Sequence, residues 1–256
     1  MRPLSLLLIA TMALMIGPDA DAAPRTASAK KEGTRVSRAA KNAHQRLDAK
    51  LKAKGLAFGD EILIRVFKEE EELELWLRHD EASPSGSAAE AAPKFELLKT
   101  YEICAASGKL GPKQKVGDEQ VPEGFYAVPP GAMNPESNYH LSFNVGYPNA
   151  LDKKLGRTGS LIMIHGDCVS IGCVAMTDDG IEEIWSLADA AHKHGQKAFA
   201  VHIFPFRMTS ANMKRHRASK WADFWQDLKQ GFDKFESSKR PPRVTVKGDR
   251  YTFTDG

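Results

Sequence analysis

Between Ser107 and Gly124 the chain carries Gly108, Gly111, Pro112, Gly117, Pro122 and Gly124, a density of glycine and proline that neither a helix nor a ladder-paired strand tolerates. The segment must run as a long irregular loop, and it leads into a short strand, Phe125 to Val128. Loops of this length in compact domains are commonly functional. The flanking sequence supplies strands to frame it. Glu61 to Lys68 (EILIRVFK) and Leu73 to Arg78 (LELWLR) alternate apolar and polar residues on either side of an acidic tetrad, the pattern of a hairpin. Strand patterns recur at Phe95 to Cys104, His140 to Val145, Ser160 to Ile164 and Ala198 to Phe204, and Val244 to Phe253 reads as a closing hairpin around Lys247-Gly248-Asp249.

Helical spacing marks three other stretches. Val36, Ala40, Ala43, Leu47 and Leu51 predict an amphipathic helix ending near Gly55, and Ile181, Ile184, Trp185 and Ala188 predict a second ending at Gly195. Residues 209–235 predict a third, with Trp221, Phe224, Trp225, Leu228, Phe232 and Phe235 along one face. Apolar residues three and four apart are how a helix packs on a sheet, so this face is read as core and not as a cofactor box. Ser83 to Ala92 is a turn rich in Ser, Ala and Gly, and Ala23 to about Arg35, with almost nothing to bury, is expected to be a disordered linker. The sum is about eight strands, mostly meandering, with three helices, which defines a β-rich α+β domain.

The N-terminus places the apolar stretch Leu6 to Ile16 after Arg2 and before Ala20-Asp21-Ala22-Ala23, the pattern of a secretory signal peptide over residues 1–22. The apolar run is well short of the roughly 20 residues a membrane-spanning helix needs. The expected location is therefore outside the cytoplasmic membrane, the periplasm if the cell is Gram-negative, with no membrane span. A formal charge of +3, from 36 Lys+Arg against 33 Asp+Glu, argues against a dedicated nucleic-acid binder. Three cysteines in an exported chain leave at least one outside any internal disulfide.

The chemistry concentrates in Leu161-Ile162-Met163-Ile164-His165-Gly166-Asp167-Cys168-Val169-Ser170-Ile171-Gly172-Cys173-Val174-Ala175-Met176. An apolar strand delivers a histidine to its end and a short glycine-containing loop then presents a cysteine. A thiol is a poor nucleophile until ionised, and an imidazole within hydrogen-bond reach can ionise it. Backbone amides at Gly172 and Cys173 are candidates for binding the oxyanion of a tetrahedral intermediate. Two other readings stay open on residues alone: zinc held by His165, Cys168 and Cys173, with or without His202, although the spacing has no paired-ligand signature, and a disulfide between Cys168 and Cys173. Phosphatase chemistry of the Cys-x5-Arg kind fails, because Val174 and Asp179 stand where the arginine would be.

The block I-H-G-x-x-x-S-x-G-C resembles the motif of the L,D-transpeptidase catalytic (YkuD) domain family. Ile64 to Trp76, Ser107 to Val128, Met163 to Thr177 and Ile203 to His216 resemble its Gram-negative branch containing the murein amidase that releases Braun lipoprotein. The resemblance implies a YkuD-type mixed sheet or sandwich with flanking helices. It implies a catalytic domain at 60–216, preceded by the linker and amphipathic helix of 23–59 and followed by a helix and hairpin extension at 217–256 packed on it. It also implies Cys173 as nucleophile, His165 as general base and later acid, and the carbonyl of Gly166 as the group that orients the imidazole, with no cofactor and no metal. The substrate would be a peptidoglycan stem peptide bearing meso-diaminopimelate, with a murein-bound lipoprotein as partner, and Arg207 is the candidate for binding a stem carboxylate. Many transpeptidases of the family carry a His two residues before the cysteine and an Arg or Asn two after it. Ile171 and Ala175 stand there instead, which favours the amidase outcome over 3-3 cross-linking or lipoprotein tethering. With Cys173 in the nucleophile's role, Cys104 and Cys168 become the candidates for a disulfide. A non-catalytic wall-binding module is the alternative class.

Overall fold

The computed structural model describes residues 22–79 and 93–256, with side chains from residue 34 onward. Helix α1 (Ala22–Ala53) is followed by strands β1 (Ile62–Phe67), β2 (Glu72–His79), β3 (Lys94–Glu102) and β4 (Ala105–Ala106). The glycine- and proline-rich loop leads to β5 (Gly124–Val128), β6 (Met133–Asn134) and β7 (Ser142–Asn144). After the short helix α2 (Ala150–Lys154) come β8 (Met163–His165), β9 (Val174–Ala175), α3 (Asp178–Lys193) and β10 (Phe199–Phe204). Helices α4 (Ser210–Arg215) and α5 (Ala222–Ser238) and the hairpin of β11 (Arg243–Lys247) and β12 (Arg250–Thr254) close the chain.

The strands form two five-stranded sheets, ordered β3-β2-β1-β10-β5 and β4-β9-β8-β7-β6, beside the separate hairpin. Strand β1 shows why they stack. Its side chains alternate between two cores: Ile62, Ile64 and Val66 join Phe143, Ile164 and Val174 of the second sheet, together with Leu47 of α1 and Ile184 of α3. On the opposite face Phe67 packs with Phe125, Phe204, Trp225, Leu228 and Phe232, and Leu63 packs with Trp76, Phe95 and Phe235. Both faces of the first sheet are thus covered. Each large apolar side chain removed from water contributes about 1.5–3 kcal/mol. With Trp225, Leu228, Phe232 and Phe235 all buried, α5 is part of the fold and not an appendage. The aromatic face of residues 209–235 is core, and the α+β class is the architecture found.

Four sequence expectations need correcting. Among the described residues there are twelve strands and five α-helices, because two-residue strands such as β4 and β9 carry no readable alternation. The sheets are not simple meanders, since β1 pairs with β10 and β8 with β9 in parallel. Residues 23–35 belong to helix α1 and are not a linker; Ala and Lys are strong helix formers, and Pro24 falls in the first turn, where its missing N–H costs nothing. Residues 209–235 form two helices, not one. Thr209 caps α4 at its start, the ring of His216 stacks on Phe206 at its end, and the Ser219 hydroxyl accepts from Trp221 N at 3.2 Å before α5 begins. The signal-peptide reading and the Ser83–Ala92 turn lie outside the described residues.

Candidate active site

Parallel pairing of β8 with β9 puts the histidine and the cysteine on adjacent strands. Ile164 aligns with Val174 and His165 with Ala175. Cys173, one residue before β9, therefore lies beside Met163, whose N–H donates to its Sγ at 3.4 Å. Met163 and His165 point to the same side of β8, about 6–7 Å apart by strand geometry. Thiol and imidazole thus lie on adjacent strands, two residues apart in register.

The loop from Gly166 to Gly172 is held at every turn. His165 is buried, and its Nδ1 lies 2.6 Å from the carbonyl oxygen of Gly166. A carbonyl can only accept, so Nδ1 carries a hydrogen, and in the neutral ring the lone pair is then on Nε2, where it can act as a base. Gly166 N–H donates in turn to the carbonyls of Tyr139 and Leu141, at 3.1 and 3.2 Å. A Cβ at Gly166 would stand 2.6 Å from Asp178 Oδ1, 2.9 Å from Ile181 Cγ2 and 3.1 Å from His140 Cβ. Gly166→Ala is therefore expected to cost about 1–3 kcal/mol and to lower turnover more than its loss of stability explains, because relieving the clash moves the carbonyl away from His165. Thermal unfolding measured alongside turnover checks this, and a variant as stable and active as the parent contradicts it.

Farther along the loop, Cys168 is disulfide-bonded to Cys104, with Cα atoms 5.2 Å apart, and Cys173 is the free cysteine. This closes both alternatives left open on the sequence. A sulfur bonded to Cys104 is not a zinc ligand, and Cys173 is not bonded to Cys168. His202 lies elsewhere, with its ring 4.8 Å from that of Phe125 in the first sheet, where burial lowers its pKa to about 3.

The two amides expected to bind the oxyanion have resting partners. Gly172 N–H donates to Ser107 Oγ at 2.5 Å and Cys173 N–H donates to Ser170 Oγ at 3.0 Å, so both amides have hydroxyl partners from their own chain. The Ser170 hydroxyl donates back to the Cys173 carbonyl at 2.7 Å, which ties the nucleophile's own backbone into a closed turn. Arg207, expected to meet a substrate carboxylate, is already committed. Its guanidinium pairs with Glu74 at 2.7 Å and with Glu72 and lies over the ring of Phe67, and its backbone N–H donates to Glu70. Another cation belongs to the long loop. Lys113 of the long loop is buried, with Nζ 2.5 Å from Asp118 Oδ1, and its charge acts on Cys173. Burial alone would raise the Asp118 carboxyl, but the Lys113 ammonium and three backbone N–H groups outweigh it and hold the pKa at about 2. At Cys173 the balance falls the other way. Burial pushes the thiol up, against the smaller opposing effects of the Met163 N–H and Lys113, so the resting sulfur is protonated and needs a base.

Tyr126 and Tyr147 are buried, with Tyr126 OH donating to Asp152 at 3.0 Å. Tyr139, 46% exposed, sets its ring 4.9 Å from that of His165. Lys113, Ser107 and Ser170 were not singled out from the sequence, although Lys113 and Ser107 lie in the loop marked there as functional.

Residues 89–203 match the L,D-transpeptidase catalytic domain (YkuD), and with the relative of 47% identity described next the chain belongs to that family. It is 47% identical over 196 residues, covering 77% of this chain and 75% of the other, to an Escherichia coli K12 protein named "Putative L,D-transpeptidase YafK", and equally to its counterpart in strain O157:H7. Among solved structures it is similar to the helical cell shape determining protein Pgp2 of Campylobacter jejuni (TM-score 0.43, 18% identity, 79% of this chain and 81% of that one). Another is Bd1075 of Bdellovibrio bacteriovorus (TM-score 0.36, 25% identity, 68% of this chain and 60% of that one). No helix among the described residues is long and apolar enough to cross a membrane.

Proposed function

We propose that the protein is an exported peptidoglycan-modifying cysteine enzyme that hydrolyses the amide joining a protein lysine to the L-centre of meso-diaminopimelate in a stem peptide. The observation that carries this reading is the hydrogen bond from His165 Nδ1 to the Gly166 carbonyl, which leaves Nε2 as the base on the strand beside the one free thiol. Nε2 takes the Cys173 proton as sulfur attacks the carbonyl carbon. The tetrahedral intermediate collapses with C–N cleavage, and the imidazolium gives its proton to the departing amine. Water then adds to the thioester with His165 again as base, releasing the carboxylate and restoring the thiol.

Hydrolysis is preferred to cross-linking because Ile171 and Ala175 stand at the flanking positions where many family transpeptidases carry polar or basic groups, and Ile171, two residues before the cysteine, is 79% exposed. The test incubates the protein separately with muropeptides that carry a lysine-linked peptide remnant and with tetrapeptide stems. Released tripeptide stem from the first, by mass spectrometry, is the expected result. Cross-linked dimers from the second without release from the first would establish the transferase instead, and wall binding without turnover of either would establish the non-catalytic module.

A further inference from the structure

Helix α1 precedes the residues that match the family, and its side chains reach the candidate site. One nitrogen of Arg35, Nη1, donates to three carbonyls of a single loop: Pro135 at 3.1 Å, Ser137 at 2.9 Å and His140 at 2.8 Å. That loop joins β6 to β7 and passes directly over the catalytic histidine. Its Tyr139 and Leu141 carbonyls accept the Gly166 N–H, its Tyr139 ring packs on His165, and Gly166 in turn holds His165 Nδ1. A continuous series of contacts therefore runs from Arg35 through one loop and one glycine to the imidazole.

The loop has reason to need holding. His140 sits at φ +63°, a left-handed conformation that a residue with a Cβ occupies only when its surroundings impose it. Arg35 binds its carbonyl, and its ring Nε2 lies 3.1 Å from Glu182, which itself accepts from Asn42 at 2.9 Å and Arg46 at 2.8 Å of the same helix. Helix α1 thus grips His140 from both ends. The apolar side of α1, with Ala39, Ala43, Leu47 and Leu51 buried, fixes the helix that carries these groups.

We propose that Arg35 is a positioning residue, which acts through the 135–141 loop and Gly166 to hold the His165 imidazole in the orientation that ionises Cys173. The proposal rests on the thiol–imidazole reading above, and the test separates the two. The rate of Cys173 alkylation by iodoacetamide at neutral pH is measured in the full chain for the parent, Arg35→Ala, His165→Gln and the double variant, with turnover of the lysine-linked muropeptide measured beside it. Arg35→Ala is expected to slow alkylation about tenfold, part of the hundredfold or more that a general base supplies, and to lower kcat with KM little changed. In the His165→Gln background the same substitution is expected to change alkylation less than about twofold, because the group it positions is gone. Arg35→Lys, which can still donate to the carbonyls, is expected to restore part of the rate, and it carries the comparison if the alanine variant does not fold. Equal losses in both backgrounds, or no loss in the parent while His165→Gln has one, would overturn the positioning role alone. A His165→Gln variant that alkylates as fast as the parent would overturn the thiol–imidazole reading and the positioning role with it.

Discussion

Cys173→Ala is expected to abolish turnover of the lysine-linked muropeptide, a loss of about ten-thousand-fold or more, the scale on which removing a nucleophile acts. The fold should be nearly indifferent to the change. The sulfur accepts one long bond from Met163 N at 3.4 Å, and the turn around it is built from Ser170 Oγ and backbone groups that alanine keeps. A variant with the parent's unfolding temperature and no turnover is the expected pair of results. Retained turnover would remove the thioester from the account, and a large drop in stability would mean that the loss of activity says nothing about chemistry.

The second large effect falls on stability. The Cys104–Cys168 bond spans 64 residues of sequence. By the loop-closure estimate, a cross-link of that span stabilises the fold by about 4 kcal/mol, within the 2–5 kcal/mol commonly lost when a native disulfide is removed. Replacing both cysteines by alanine should lower the midpoint of chemical denaturation by a corresponding amount. Cys168 is two residues beyond Gly166, and Cys104 N–H donates to the Ala175 carbonyl at 2.9 Å, so the bond ties the middle of the catalytic loop to the strand that follows it. Turnover should therefore fall as well, by roughly tenfold, since small displacements of a catalytic group are costly. Denaturation curves with and without reductant, read beside activity, check both parts. Stability and activity unaffected by the double substitution would contradict them.

The elements that could be read from the sequence are those whose own side chains carry the pattern. The β1–β2 hairpin announces itself by alternation, α3 by its apolar spacing, and His165 and Cys173 by a strand ending in a glycine-punctuated loop. What could not be read depends on partners distant in the chain. Ser107 meets Gly172 across 65 residues, and Arg35 meets His140 across 105, and nothing local to either residue marks the contact. Arg207 is a candidate for a stem carboxylate because it follows a strand near the motif, and nothing beside it in the chain marks its acidic partners. The acidic tetrad at the β1–β2 turn, read only as a hairpin signal, supplies Glu70 and Glu72, which with Glu74 satisfy that arginine. The serine partners of the oxyanion candidates are another such case: the amides at Gly172 and Cys173 donate to the hydroxyls of Ser107 and Ser170. Helix α1 was divided into linker and helix because its first part buries little, yet intrinsic propensity carries the helix back to Ala22.

The central claim, an acyl group passing through Cys173, is tested most directly by the mass of the protein quenched in acid during turnover of the lysine-linked muropeptide. The account predicts a population heavier by one acylated stem peptide, with the added mass on the fragment containing Cys173, released by hydroxylamine and absent from Cys173→Ala. Turnover with no adduct on the parent, or an adduct that persists in Cys173→Ala, would contradict it.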